Sequence, residues 1–279
     1  MKRHSNMKTG KTIRDVILIL FGISFMVPLY WMLSLSFKSQ TQAATDTWSL
    51  PTSFHPENYA TAWKKVDVPL LLKNSAIYTV GGLVICVAVS VMVAYAITRM
   101  HMKHESGVRL YFTIGMLVPV SVLLIPVYRT CMDLGISGTS WALILPYAAF
   151  AMSSCILMLS AFFRSVPREM EEAAAIDGCG VFRAFLSIMI PMVKPAIVTQ
   201  IMFQYISNWN EYALASVLAL GKKMRTIPVA LDLFFGQFDL TNWGVVGAAV
   251  TVTSLPVILI FIFCNRQIEN AMVGTTGLK

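Results

Sequence analysis

The sequence predicts an all-α protein, a polytopic membrane helix bundle with about six transmembrane helices. Hydrophobic residues make up 56% of the chain and charged residues only 13%, a composition far from that of an ordinary soluble domain. Apolar runs of roughly 20 residues, long enough to cross about 30 Å of hydrocarbon, recur along the chain. Because backbone polar groups in lipid have to be satisfied within their own segment, these runs are predicted to be helices.

The predicted membrane spans are residues 13–36, 75–98, 110–128, 140–163, 195–220 and 243–264. The first run is too long for the core of a signal peptide and is not followed by a small-residue cleavage site, so we interpret it as a span. The organisation that follows is a transmembrane domain over residues 13–264, preceded by a tail of residues 1–12 and followed by a tail of residues 265–279.

The formal net charge of +8 is explained by membrane topology rather than by nucleic-acid binding. Basic residues concentrate before the first span and in the connection between spans two and three, which includes Arg99, Lys103 and Arg109. This is the positive-inside pattern, and it predicts that both termini lie in the cytoplasm. The basic segment 222–225 is the one connection that runs against the pattern.

The longest hydrophilic segment, about residues 38–74, lies between the first two spans and is predicted to be external. Its prolines and turn-forming residues indicate an ordered cap with one short helix near Glu57–Lys65. We expect this segment to touch an extracytoplasmic partner. A passive tether between two helices is the alternative.

An acidic, alanine-rich stretch, residues 171–178, lies between spans four and five and is predicted to be a short helix in water. Pro167 suits the first helical position, where its missing N–H costs nothing. Glutamates favour the positive end of the helix dipole, and Gly178 suits a left-handed helix stop. The whole connection, about residues 164–194, is predicted to lie in the cytoplasm.

The fifth span carries a polar stripe of Gln200, Gln204, Asn208 and Glu211. Spacings of four, four and three residues predict that these side chains share one helical face. Polar groups in spans usually face the bundle interior or an aqueous pathway, so we interpret the stripe as pathway lining. Hydrogen bonds that merely hold neighbouring helices together are the alternative.

The sequence contains no convincing catalytic or metal-binding motif. Gly10-Lys11-Thr12 resembles the end of a phosphate-binding loop, but Ser5 stands where its first glycine belongs. His104-Glu105 begins like a zinc-protease motif, but Val108 replaces the second histidine. The five cysteines form no C-x-x-C pair. We therefore predict no enzyme activity, no cofactor and no metal.

Several motifs resemble the carbohydrate branch of the ABC importer permeases, the inner-membrane subunits of binding-protein-dependent importers of the maltose and glycerol-phosphate type. The 171–178 stretch followed by Ile190-Pro191 resembles the coupling loop of that family, which implies that residues 164–194 form a docking loop for an ATPase. The other matching segments are residues 116–119, 124–128, 209–212, 225–229 and 274–279. The resemblance extends over nearly the whole chain and implies a type I importer permease fold in a bacterial or archaeal cytoplasmic membrane.

The resemblance also implies partners and sites. A second homologous permease, two ATPase subunits that hydrolyse ATP, an extracytoplasmic binding protein and a sugar-like solute are expected. The predicted ATPase-coupling residues are Met170, Glu172, Ala173, Ala174, Asp177 and Gly178, and the predicted pathway residues are Gln200, Gln204, Asn208, Asn210 and Glu211. The few polar side chains of the fifth span would suit a disaccharide, a monosaccharide or a polyol phosphate equally well, so the sequence does not identify the solute. The rival classes are an ion-coupled secondary carrier and a membrane-embedded enzyme. The sequence lacks the set of intramembrane ionisable groups that a carrier would need and the catalytic groups that an enzyme would need.

Overall fold

The computed structural model describes residues 2–65, 67–100, 102–232 and 241–276, with side chains for residues 14–263 of those ranges. Every regular element in these ranges is helical, which confirms the predicted all-α class. The α-helices are α1 Lys2–Ser36, α2 Gln40–Thr45, α3 Glu57–Lys65, α4 Val68–Arg99, α5 Glu105–Leu117, α6 Val120–Asp133, α7 Trp141–Ser165, α8 Glu169–Ile176, α9 Val181–Ala184, α10 Ile190–Trp209, α11 Ala213–Leu218, α12 Ile227–Leu231 and α13 Trp243–Thr276.

Within the described residues, five helical segments are long and apolar enough to cross a membrane, and a bent helix pair raises the number to six. The five are Arg14–Ser36, Val68–Arg99, Trp141–Ser165, Val181–Trp209 and Trp243–Phe263. The prediction of about six spans is therefore confirmed when the bent pair is counted as one span. The last residue of the predicted sixth span, Cys264, lies outside the described side chains, as does the tail that follows it.

The prediction that the third span is one continuous helix was wrong. The structure contains α5 and α6 instead, bent by 101° at a short break. Val118 and Pro119 at the break have extended backbone angles, with ψ values of 118° and 133°. Proline disfavours the helical conformation of the residue before it, so the chain leaves the helix at Val118 although the run stays apolar.

The predicted fifth span was also misplaced, because the helix begins earlier and ends earlier. Helix α10 follows directly on α9 through a π-helical turn, Phe185–Met189. Pro191 has no N–H to donate to the carbonyl four residues before it, and a wider turn relieves the crowding there. The helix then ends at Trp209, and residues 213–218 form the separate helix α11.

The chain divides into two compact units, the first being Met1–Val68 with Leu231–Leu255. The predicted short helix of the 38–74 segment is observed as α3 and is joined by α2. Lys38 is fully buried, and its Nζ donates to the carbonyl oxygens of Asp46 and Thr47, each at 2.9 Å. Asn58 Nδ2 donates to the carbonyls of Ser36 and Lys38. The 38–58 segment is therefore an ordered structure built around the end of α1.

The second unit comprises Pro69–Ala230 with Pro256–Lys279 and has α4 packed along α7. Three apolar clusters join these helices, one around Tyr78 and Tyr147, one around Cys86 and Ala148, and one around Tyr95 and Phe163. The two backbones approach closely at Gly82, where an added Cβ would lie 2.8 Å from Tyr147 Cβ. Small residues permit such close approach between membrane helices.

Replacing Gly82 with alanine should destabilise the second unit, because the new methyl group would overlap backbone-proximal atoms of α7. Overpacking of this kind typically costs about 1–3 kcal/mol. We expect Gly82→Ala to lower the midpoint of thermal unfolding in detergent. Gly107→Ala is the matched control, since no heavy atom lies within 4 Å of a Cβ at that position. Equal midpoints for both variants would contradict the close packing described here.

Candidate functional site

The predicted docking loop contains a short helix, α8, at the predicted place. The helix comprises Glu169–Ile176, with Arg168 and Asp177 as its caps, and its first turn carries three glutamates. The prediction that Pro167 occupies the first helical position was wrong. Val166 is extended, as expected for a residue before proline, so Pro167 belongs to the turn that leaves α7 and precedes the cap.

Helix α8 ends in a Schellman motif, and the predicted left-handed stop at Gly178 is confirmed. Gly178 has φ of +77°. Its N–H donates to the carbonyl of Ala175 at 3.0 Å, and the N–H of Cys179 donates to the carbonyl of Ala174 at 2.8 Å. These two bonds satisfy carbonyls that the helix end would otherwise leave unpaired. The motif turns the chain sharply toward α9.

The inner face of α8 is held by an ion pair that sequence reasoning missed. Arg99 at the end of α4 lies 3.2 Å from Glu171, measured from Nη1 to Oε2. The hydroxyl of Tyr95 donates to Glu171 Oε1 at 2.9 Å. Arg99 also donates through Nη2 to the carbonyls of Phe163 and Val166 at the end of α7. One buried guanidinium therefore joins α4, α7 and α8.

The outer face of α8 carries most of the predicted docking residues. Met170, Glu172, Ala173, Asp177 and Gly178 are exposed. Ala174 is 7% exposed and lies on the opposite, inward face.

Three large apolar side chains near the end of α8 are exposed, and sequence reasoning did not single them out. Ile176 is 87% exposed, Val181 61% and Phe182 73%. A cavity of about 400 Å³ lies beside Val181, with Arg99 and Glu172 among its other lining residues. The sequence did contain a signal for this exposed set, because these residues are apolar although their segment is predicted to lie in water.

The polar stripe is mostly buried in this single chain. Gln200 is 3% exposed, Gln204 9% and Asn208 8%. Gln204 Nε2 donates to Ser154 Oγ of α7 at 3.0 Å. Asn208 Nδ2 is buried and has no hydrogen-bond partner among the described residues. Asn210 is exposed, and its side-chain amide donates to the carbonyl of Ile206.

Glu211 lies beyond the end of α10, so the prediction that it shares one helical face with the glutamines was wrong. Its Oε1 accepts from the N–H of Leu214 at 2.7 Å, and its Oε2 accepts from the N–H of Ala215 at 3.0 Å. Tyr147 of α7 donates its hydroxyl to Oε2 at 3.1 Å. The carboxylate thus caps the first turn of α11, where free N–H groups attract negative charge.

The chain belongs to the family of binding-protein-dependent transport system inner membrane components, whose model matches residues 87–274. The class is therefore the permease subunits of ABC transporters, and the predicted resemblance is confirmed. Because the family is one of inner-membrane components and several helices can span a membrane, the chain is a multi-pass inner-membrane protein.

Individual relatives match almost end to end. The probable ABC transporter permease protein YurM of Bacillus subtilis is 35% identical over 92% of this chain and 85% of its own length. The diacetylchitobiose uptake system permease protein NgcG of Streptomyces coelicolor is 30% identical, with 93% and 86% covered. The sulfoquinovosyl glycerol transport system permease protein SmoH of Agrobacterium fabrum is 31% identical, with 99% and 96% covered.

A solved structure shares the fold. A chain of a bacterial ABC transporter that imports the polysaccharide alginate aligns with a TM-score of 0.79 at 22% identity, covering 93% of this chain and 96% of that one. The predicted importer-permease fold is therefore confirmed.

Proposed function

We propose that this chain forms half of the translocation pathway of an ATP-driven importer for a sugar or sugar-like solute. The observation that carries the proposal is the family match over residues 87–274, which includes both the docking loop and the polar stripe. Relatives named for diacetylchitobiose, sulfoquinovosyl glycerol and melibiose, raffinose or stachyose favour a carbohydrate solute.

In this proposal the chain works within a larger assembly and hydrolyses nothing itself. A second homologous permease completes the pathway, two ATPase subunits bind the cytoplasmic side, and an extracytoplasmic binding protein delivers the solute. The family description, which specifies dependence on a binding protein, supports the last of these partners. The positive-inside distribution of basic residues supports the orientation with both termini in the cytoplasm.

Helix α8 is the proposed docking element for one ATPase subunit. Met170, Glu172, Ala173, Asp177 and Gly178 supply the outer surface, and buried Ala174 lets the helix sit close to the bundle. We add Ile176, Val181 and Phe182 to this surface, because large apolar side chains exposed together usually mark an interaction site. The neighbouring cavity of about 400 Å³ offers space for a side chain of the partner.

The polar stripe is the proposed lining of the solute pathway. Gln200, Gln204 and Asn208 are buried in the state described, so solute can reach them only if α10 separates from its neighbours as access alternates. The unpaired amide of Asn208 supports this role, since a buried donor without an acceptor is unfavourable unless another state supplies one. Asn210 and Glu211 lie where α10 ends and are the proposed mouth of the lining.

The assembly can be tested by purifying the tagged chain from membranes of its own host in mild detergent. We expect a second permease and two ATPase subunits to accompany it, and ATP-dependent uptake to be lost when the chain is deleted. Uptake of labelled disaccharide, monosaccharide and polyol phosphate by the deletion and parent strains then identifies the solute class. Transport by the purified chain alone, driven by an ion gradient, would establish the secondary-carrier alternative instead.

Replacing Gly178 with valine should impair coupling without preventing membrane insertion. A side chain in the left-handed region costs about 1–2 kcal/mol, and a β-branched one tolerates it worse than asparagine. A shift of that size changes an equilibrium about 5–30-fold. We expect ATP-dependent uptake to fall by a factor in that range, with Gly178→Asn less affected.

Gly180→Val is the matched control for this experiment. Gly180 lies two residues away in the same loop, has an ordinary φ of −68° and has open space at its Cβ position. Full uptake by Gly178→Val at normal expression would refute the role of the helix stop.

Single cysteines on α10 test the pathway lining, in a background in which Cys179 and Cys264 are serine. Cysteines at Gln204 and Asn208 should react with a small charged thiol reagent, and the rate should change when ATP is trapped on the transporter. Met202, which is 2% exposed, is the core control, and Phe203, which is 58% exposed, is the outward-facing control. Equal protection at all four positions in every state would favour the interhelical hydrogen-bond alternative.

A further inference from the structure

We propose that α4 is a strut that links the docking helix α8 to residues 223–227 at the opposite end of the second unit. Side chains near each end of α4 bind a different connecting segment, so a displacement of α8 is passed along α4 to the distant segment. The inference rests on the proposed function for the source of the displacement, which is the ATPase. The displacement of α8 would then reach the rest of the unit through α4 as well as through the covalent connections between α8 and its neighbouring spans.

The first attachment is the cluster of Tyr95, Arg99 and Glu171. The Arg99 side chain is 4% exposed and that of Glu171 is 19% exposed, so the ion pair is largely screened from water. Each carboxylate oxygen has its own donor, Arg99 on one side and the Tyr95 hydroxyl on the other. Removing one partner of a buried, hydrogen-bonded pair is strongly unfavourable. Separating α8 from α4 therefore has a substantial free-energy cost.

The second attachment is made by Asn74 and Ser75 near the start of α4. Asn74 Nδ2 donates to the carbonyl of Lys223 at 2.8 Å and to that of Arg225 at 3.0 Å. Ser75 Oγ accepts from the N–H of Ile227 at 2.9 Å. Asn74 is 7% exposed and Ser75 2%. Three backbone groups of one short segment are thus held by two adjacent side chains of α4.

The helix between the two attachments is suited to transmitting a displacement. Asn74 and Arg99 are 25 positions apart, which corresponds to about 38 Å at 1.5 Å per residue. No proline interrupts the helix between them. Gly82, where flexibility would be expected, is held against Tyr147 of α7 by close packing. A hydrogen-bonded helix supported in this way moves as a rigid body rather than bending.

The same contacts could serve only to hold the fold together, and the two roles differ in what they predict. A static contact lowers stability when it is removed but leaves no signal that depends on the nucleotide. A strut predicts that the 223–227 segment responds to ATP and that the response requires both attachments. The decisive measurement is therefore whether the 223–227 segment responds to ATP, and whether that response is lost when the attachment of α4 to α8 is broken.

The experiment uses the whole transporter, with its partner subunits, in lipid nanodiscs. A fluorophore on a single cysteine at exposed Lys222 reports the environment of the segment with and without trapped ATP. Allosteric couplings are typically 5–150-fold, so we expect Glu171→Gln and Ser75→Ala each to weaken the ATP-dependent population shift by at least about fivefold. Ser75→Thr, which keeps the hydroxyl, should restore it. The amount of ATPase that copurifies should stay unchanged.

Glu105→Gln is the matched control, because Glu105 pairs with Arg164 and does not hold α8. It should leave the fluorescence response intact. A full response in Glu171→Gln would overturn the strut, as would a wild-type transporter that hydrolyses ATP without any response at position 222. If Glu171→Gln fails to insert, Tyr95→Phe removes only one donor to the same carboxylate, and a full response in that variant counts equally against the proposal. Absence of ATPase from the wild-type preparation would refute the proposed function instead.

Discussion

The guanidinium of Arg99 sets a constraint that organises one whole end of the second unit. A cation at the end of an apolar helix, with its side chain 4% exposed, needs acceptors for its N–H groups. Its Nη2 donates to the backbone carbonyls of Phe163 and Val166 at the end of α7, and its Nη1 pairs with the carboxylate of Glu171. One side chain therefore ties the ends of α4 and α7 to α8. Lysine could not replace this planar group, since its compact ammonium lacks the spread of donors.

Hydropathy alone predicted most of the membrane architecture, because apolar length is what a bilayer requires. Its two failures have a common cause. The third span stays apolar through Val118-Pro119, so only the steric effect of proline reveals the 101° break. The predicted fifth span combines two helices, and the break after Trp209 falls at Asn210 and Glu211, where the Glu211 carboxylate caps the new helix α11. Both breaks are local stereochemical events that averaged hydropathy does not resolve.

In the candidate site, too, some features were predictable from the sequence and others were not. Gly178 was predictable because residue type alone favours a left-handed helix end. The pairing of Arg99 with Glu171 was not, since the partners are far apart in sequence and each had a sufficient local explanation, topology for the arginine and the helix dipole for the glutamate. The inward orientation of Ala174 was equally hidden, because a short alanine-rich helix has small residues on every face. Tertiary contacts decide such questions, and a single sequence does not contain them in readable form.

Contacts within the first unit have a consequence for the order in which its parts can fold during synthesis. Gln40 donates to the carbonyl of Thr241 at 2.6 Å and accepts from the N–H of Trp243 at 3.1 Å, across more than 200 positions. Gly244 lies where any Cβ would collide with Asn58 and with the carbonyl of Lys38. While the ribosome is still translating the middle of the chain, α1 and the segment that buries Lys38 lack the surface that completes them. The segment that follows α1 is thus completed only after residues 241–244 have been made.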